Sequence, residues 1–183
     1  LQMPFVETLQ ELEVSIQTGF LIPVGTDYKY YDQTNGETTA RDIRFMFVHD
    51  SIQEAIYGSI SEDKLPEMHL SIAQMLIEKL DEDKIELRLF EVVNHLNMGS
   101  DLVLEHQALI QLLKFNVAAA RKAKSSNAYR SSLQYYDKAL QVMSRVQGID
   151  LKELSYTIRL EKSEVLYLSG QASEAETSYE QLL

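Results

Sequence analysis

The sequence has no cysteine and no tryptophan, and only 3 prolines and 7 glycines among its 183 residues. The absence of cysteine excludes a disulfide framework, a thiol nucleophile and a thiolate metal site. No apolar run approaches the roughly 18 residues that a membrane helix needs, and no basic, apolar signal segment opens the chain. With 45% hydrophobic residues, these features are typical of a globular protein, and we expect a cytoplasmic one.

Positive charge is also scarce. The chain carries 17 lysines and arginines against 28 aspartates and glutamates, which gives a formal net charge of −11. Nucleic-acid affinity comes largely from basic side chains that neutralise phosphates, so this balance argues against a nucleic-acid partner. The small basic cluster of Arg121, Lys122 and Lys124 is interpreted as a solvated helix end.

Known catalytic patterns are missing. The sequence has no GxxxxGK[ST] phosphate-binding loop, no HRD or DFG of a protein kinase and no GxSxG elbow. The four histidines lie far apart and form no HxxxH pair, which argues against a metal site; they are His49, His69, His95 and His106. We therefore predict that this chain has no catalytic residue and no metal of its own.

The first 50 residues predict a helix followed by a β-hairpin. Apolar residues recur at helical spacing over 4–18, and the apolar segment 20–23 is taken as a short exit from that helix. Alternating residues over 28–48, with Asn35-Gly36 between the two runs, predict the hairpin. Three tyrosines of its first strand pack as ordinary strand residues or form a binding face: Tyr28, Tyr30 and Tyr31.

A capped helix is predicted to start at Asp50. The Asp50 carboxylate would accept a bond from the amide of Gln53, and Gln53 would reach back, as in a capping box. His49 then lies at the corner between strand and helix. There its imidazole either bonds a backbone carbonyl or, because helix amides favour anions, binds a phosphate.

Everything after this helix is predicted to be helical. The predicted segments cover about 62–80, a short helix ending near 98, then 101–124, 127–146, and two helices that follow Gly148 and Gly170. Equivalent residues recur 43 positions apart in the last two hairpins. Small residues would let paired helices approach closely, and an aromatic would fill the space between hairpins; the residues assigned this packing role are Ser132, Tyr136, Ala139, Ala175 and Tyr179.

The 43-residue pattern resembles the second half of a tetratricopeptide repeat (TPR). Its period is longer than the usual 34 residues, so the hairpins would be TPR-like with lengthened helices. Together these signals predict a mainly α fold: a partial winged helix with a small β-hairpin, followed by an α-α superhelix of TPR-like helical hairpins.

Three separated segments resemble the winged-helix and helical region of STAND ATPases, which are signal-transduction ATPases with numerous domains. Phe47–Tyr57 resembles the family's F-x-HD-x-[IV]-Q-x-A-x-Y run, Phe90–Gly99 its FDIVNHLNxG segment, and Ala118–Tyr129 its AGxKAKxSxAY segment. Within that family the chain is most similar to large bacterial and fungal proteins that join an AAA-like ATPase to a histidine kinase, often with a serine/threonine kinase-like domain.

The resemblance implies a domain organisation and a regulatory role. Residues 1–80 would form the partial winged helix, and residues 81–183 the TPR-like region of an excerpt that continues past its C-terminus. The segment would be non-catalytic and would relay the state of ADP or ATP, bound by the parent protein, to kinase domains. His49 would sense the nucleotide in the closed, ADP-bound state, and Asp50 would hold the corner.

Two alternatives stay open from the sequence. The chain could belong to a STAND-type transcriptional regulator, although its acidity and the lack of a basic recognition helix argue against that. It could also be a free-standing TPR-like adaptor, which would need a groove of polar residues able to hold a peptide.

Overall fold

A computed structural model describes residues 5–24, 44–148 and 150–182. The described chain is mainly helical, with nine α-helices, one 3₁₀ turn and a two-stranded antiparallel sheet. It divides into two compact units, residues 1–61 and 62–183. Among the described helices, none is both long and apolar enough to cross a membrane.

The first unit holds α1 (Phe5–Gln17), β1 (Leu21–Val24), β2 (Arg44–Phe47) and α2 (Asp50–Ser59). Gly19 has φ +75°, which lets the chain reverse at the end of α1. β1 pairs with β2 in antiparallel register, with Leu21 opposite Phe47.

The sheet confirms a small β element, and the strand that pairs with β2 is Leu21–Val24. The segment 20–23, predicted as a helix exit, forms most of β1, because Leu21 is buried while Ile22 points outward at 42% exposure. The second predicted strand corresponds to β2. The candidate tyrosines Tyr28, Tyr30 and Tyr31 lie outside the described residues.

The second unit contains seven α-helices and a 3₁₀ turn among the described residues. Their bounds are α3 (Leu65–Lys79), α4 (Glu82–Leu87), α5 (Leu89–Met98), the 3₁₀ turn (Ser100–Leu102), α6 (His106–Ser125), α7 (Tyr129–Met143), α8 (Lys152–Leu168) and α9 (Ala172–Glu180). α6 begins five residues later than the predicted helix at 101, because the 3₁₀ turn and an extended stretch precede it.

The core of this unit is contributed by α3, α5, α6, α7 and α8. Its fully buried side chains include Val92, Leu112, Tyr136 and Ile158. Gly99 lies where α3 approaches most closely: a Cβ there would be 2.7 Å from the carbonyl oxygen of Pro66. Core packing therefore depends on small residues at close crossings as well as on large apolar ones.

The two last hairpins, α6–α7 and α8–α9, turn in the same way. Asn127 and Gly170, 43 residues apart, both have positive φ, 58° and 85°. In each turn an amide bonds a carbonyl five residues earlier: Ala128 to Ala123 at 2.9 Å and Gln171 to Leu166 at 3.0 Å. This is the bond pattern of a Schellman-type helix end, and it gives the 43-residue spacing a local structural meaning. The division into domains 1–80 and 81–183 stays a prediction.

Candidate functional site

The candidate nucleotide-sensing residue, His49, lies at the corner between β2 and α2. Its backbone is extended, with φ −136° and ψ 139°, and its side chain is exposed. On one side of the corner the amide of Val48 bonds the carbonyl of Phe20 at 3.1 Å; on the other the amide of Ile52 bonds the carbonyl of His49 at 3.0 Å. Backbone bonds therefore fix the corner and place the imidazole at the amino end of α2.

The structure corrects the predicted capping box. The N-cap position belongs to His49, and no side chain makes a capping hydrogen bond there. Asp50 is the first helical residue, so its carboxylate cannot occupy the cap; it lies instead in the first turn, where the helix dipole favours negative charge. Gln53 lies in the same helix one turn further on and takes no part in a cap.

The residues assigned to repeat packing lie in the second unit. Ser132, Tyr136, Ala139 and Ala175 are at most 1% exposed, and Tyr179 is half-buried. The hydroxyl of Ser132 donates to the carbonyl of Ala120, 2.8 Å away on the preceding helix. The residue 43 positions after Ala120 is Ser163, which is also fully buried and whose hydroxyl lies 2.6 Å from that of Ser178. Small side chains thus occupy the helix crossing in both hairpins.

A charged network joins α6, α7 and α8. The hydroxyl of Tyr136 donates to Oε2 of Glu161 at 2.8 Å, and Arg121 donates to both oxygens of the same carboxylate. Lys124 pairs with Glu164 at 2.5 Å. Arg121 and Lys124, expected from the sequence at a solvated helix end, are therefore bound to carboxylates of α8.

This network shifts the pKa values of its members, among them the phenol and the carboxyl group. Burial, followed by the hydrogen bond to Glu161, raises the pKa of Tyr136. Burial opposes ionisation of Glu161, but the hydrogen bonds from Arg121 and Tyr136 outweigh it and lower the pKa of that carboxyl. At neutral pH the carboxylate is charged and the phenol is neutral, so each keeps the role it has in the network.

Two polar pairs in the second unit went unnoticed in the sequence. The side-chain amides of Asn97 and Asn116 exchange two hydrogen bonds of 2.8 Å, and Asn116 also donates to the carbonyl of Leu112. His69 and His95 lie with their Nδ1 atoms 2.7 Å apart. Residues 19 and 26 positions apart on different helices give no local pattern that could have revealed these pairs.

Metal-ligating groups do not converge in the part of the chain that is described. No three histidine, aspartate or glutamate side chains there are placed to hold one ion.

Comparison with known proteins finds similarity to a signalling protein. The chain is 28% identical, over 165 residues, to the hybrid signal transduction histidine kinase G of Dictyostelium discoideum. The match covers 77% of this chain but only 5% of that kinase. No family model and no solved structure matches the chain. This distant and partial similarity indicates a relation to signalling kinases.

Proposed function

We propose that this chain is a non-catalytic regulatory segment of a multidomain signal-transduction ATPase-kinase. Its first part would be a partial winged helix of the STAND type, and its later helices a TPR-like region. The segment would relay the nucleotide state of an ATPase domain to the kinase domains of the same protein. The similarity to a hybrid histidine kinase and the repeated turn geometry at Asn127 and Gly170 support this proposal.

The observation that carries the proposal is the position of His49. An exposed imidazole at the amino end of α2 suits a phosphate, because helix amides and a ring N–H both favour an anion. The neighbouring Asp50 has a carboxyl group, which does not attract a phosphate. Of these two side chains, the imidazole of His49 is therefore the one suited to bind a phosphate. The ATPase domain would make most of the contacts to ADP or ATP. His49 would add one contact to a phosphate.

The test is a substitution in the full-length protein. His49→Ala removes one charge-assisted hydrogen bond, which is worth about 1.5–3 kcal/mol, so ADP should leave about tenfold to a hundredfold faster and kinase output should change. The control is His106→Ala, since His106 is also a histidine at a helix start, that of α6. Fluorescent ADP release and kinase autophosphorylation are measured for both variants. Unchanged ADP retention and signalling in His49→Ala contradict the proposal.

A second candidate function, a protein-binding adaptor, is favoured by a groove between α5 and α7. Seven residues line this groove, and none of them is acidic although the chain has a net charge of −11. Six of them carry polar donors, namely Asn94, Asn97, Ser131, Gln134, Tyr135 and Lys138. Such a lining suits the carbonyl groups of an extended peptide with acidic side chains.

Peptide binding would distinguish a protein-binding adaptor from the regulatory segment proposed above. The chain is titrated against fluorescein-labelled acidic and basic peptides of equal length, and anisotropy is measured. Lys138→Glu should weaken binding of acidic peptides about tenfold, whereas Lys152→Glu, at the exposed start of α8, should leave it unchanged. Equal binding of both peptide classes by all three proteins contradicts a specific groove. Within the described ranges, no structural observation favours the transcriptional-regulator alternative.

A further inference from the structure

A histidine pair that the proposed function does not use joins α3 to α5. The Nδ1 atoms of His69 and His95 are 2.7 Å apart, and the ring centroids are 4.9 Å apart with planes inclined at 39°. His69 is only 6% exposed and His95 is half-buried. The contact therefore lies largely out of water, next to the core that α3 and α5 share.

The distance restricts how many protons the pair can hold. Two ring nitrogens at 2.7 Å make a hydrogen bond only if one carries a proton and the other accepts it. When both rings are neutral, one proton lies between the two Nδ1 atoms. A first additional proton can bind an Nε2 atom and leave this hydrogen bond intact. A second would place a proton on both Nδ1 atoms, so two N–H groups and two positive charges would face each other. The closed contact excludes that doubly charged state.

The surroundings act in the same direction. Burial lowers the pKa of His95, His69 lowers it further, and Glu91 on α5 itself raises it less. Glu91 is engaged by two hydrogen bonds from Arg88. Among the described residues, no titratable group of α4, α6 or the 3₁₀ turn contributes to this shift. From α6, the neutral amide of Asn116 bonds Asn97 of α5, and the Lys122 ammonium lies 5.7 Å from the centroid of the Phe90 ring near the start of α5.

We propose that the His69–His95 pair is a proton-operated latch between α3 and α5. It is closed while the pair holds at most one extra proton, and the second proton opens it. Opening would break the contact of α3 with α5 at this pair, while α6 to α8 stay joined, since their mutual bonds link carboxylates to guanidinium, ammonium and hydroxyl groups. The segment would thereby respond to acidification as well as to its partner domains.

The sign of the pH dependence follows from the lowered pKa. A base that is harder to protonate when folded takes up its proton more readily when unfolded, so folding loses stability as protons are added. The contribution of His95 to the stability of the second unit is complete above about pH 6.5, the ordinary histidine value. This contribution is lost as the pH falls through the lowered pKa of His95 in the folded chain.

Urea unfolding of the 183-residue chain tests the latch at pH 7.5, 6.5, 5.5 and 5.0. The unfolding equilibrium constant of the unmodified chain should rise about tenfold between pH 7.5 and 5.0. His95→Asn places a neutral amide near the Nδ1 position and should reduce that rise to less than about threefold. His106→Asn, which removes a histidine outside the pair, should keep the full rise. Equal rises in the unmodified chain and in His95→Asn overturn the proposal.

Imidazole NMR of the unmodified chain gives a test that no folding defect can obscure. Two histidine signals should titrate in separate steps, the second at a lower pH than the first, and amide signals of α3 should shift with that second step. If every histidine titrates independently near its ordinary pKa and α3 signals stay unchanged, the latch is excluded.

Discussion

Tyr136 and Glu161 form a hydrogen bond of 2.8 Å between α7 and α8, at a tyrosine that is completely buried. The same carboxylate accepts three further hydrogen bonds from Arg121 of α6. One side chain of α8 thus connects three consecutive helices. Its charge is neutralised by Arg121 and its position is set by Tyr136, so the pair contributes both energy and geometry to the stacking of the hairpins.

Tyr136→Phe should destabilise the second unit by about 1–3 kcal/mol, because a hydrogen bond to a charged acceptor is lost while the ring still fills its place. Urea unfolding at pH 7 measures the change. Tyr167→Phe is the control, since Tyr167 is 65% exposed and its loss should stay within about 0.5 kcal/mol. Similar effects of both substitutions would mean that the buried bond adds nothing to stability.

The amide pair of Asn97 and Asn116 predicts strong coupling. Asn116→Leu leaves the Asn97 amide without its partner and should cost about 2 kcal/mol. Changing both residues to leucine should cost less than the sum of the two single changes, with a coupling energy of about 0.5–3 kcal/mol. A double-mutant cycle in urea measures this energy. Simple additivity would show that the two amides act independently.

Gly99→Ala should destabilise the second unit by about 1–3 kcal/mol, because the new Cβ would overlap the backbone of α3. Its distances to the Pro66 carbonyl oxygen and the Leu70 Cβ would be 2.7 and 2.9 Å. Gly58→Ala is the opposite case: nothing lies within 4 Å of a Cβ at this helical position, so α2 should gain about 0.5–1 kcal/mol. Thermal unfolding followed by circular dichroism compares the two. A stabilising Gly99→Ala would refute the close approach.

The matching turns at Gly170 and Asn127 predict that asparagine is tolerated at position 170 better than alanine. Gly170 has φ +85°, where alanine is strained by about 1–2 kcal/mol. Gly170→Asn should cost clearly less than Gly170→Ala, because asparagine already takes the same conformation at the equivalent position 127. Melting temperatures of the two variants decide the order. Equal losses would show that the two turns are not equivalent.

Helical periodicity predicted most of the fold because it reports which face each helix buries. The predicted helix over 62–80 corresponds to α3, and that over 127–146 corresponds to α7, which ends three residues earlier. The ends are less predictable, since they depend on turns. The helix expected from 101 begins at His106, after a 3₁₀ turn whose three residues carry no distinct pattern.

At the candidate site, the sequence leaves the start of α2 uncertain by one residue. A capping box at Asp50 and an N-cap at His49 use the same residues shifted by one position, and the extended backbone of His49 decides between them. Pairs such as His69 with His95 depend on how distant helices pack, which no local pattern encodes. The position of His49 at a strand-to-helix corner was predictable; the meeting of buried polar residues was not.

Several bonds in the second unit skip one helix. Tyr135 of α7 donates to Asn94 of α5 at 2.8 Å and stacks on Phe90 with ring centroids 5.8 Å apart, while Arg121 of α6 holds Glu161 of α8. A helix in this arrangement is bonded both to the next helix in the chain and to the one after it. When it tilts, it therefore moves both of them. We therefore expect mechanical load on α5 to be shared over several helices, so that the second unit would deform over its whole length and not at one loop.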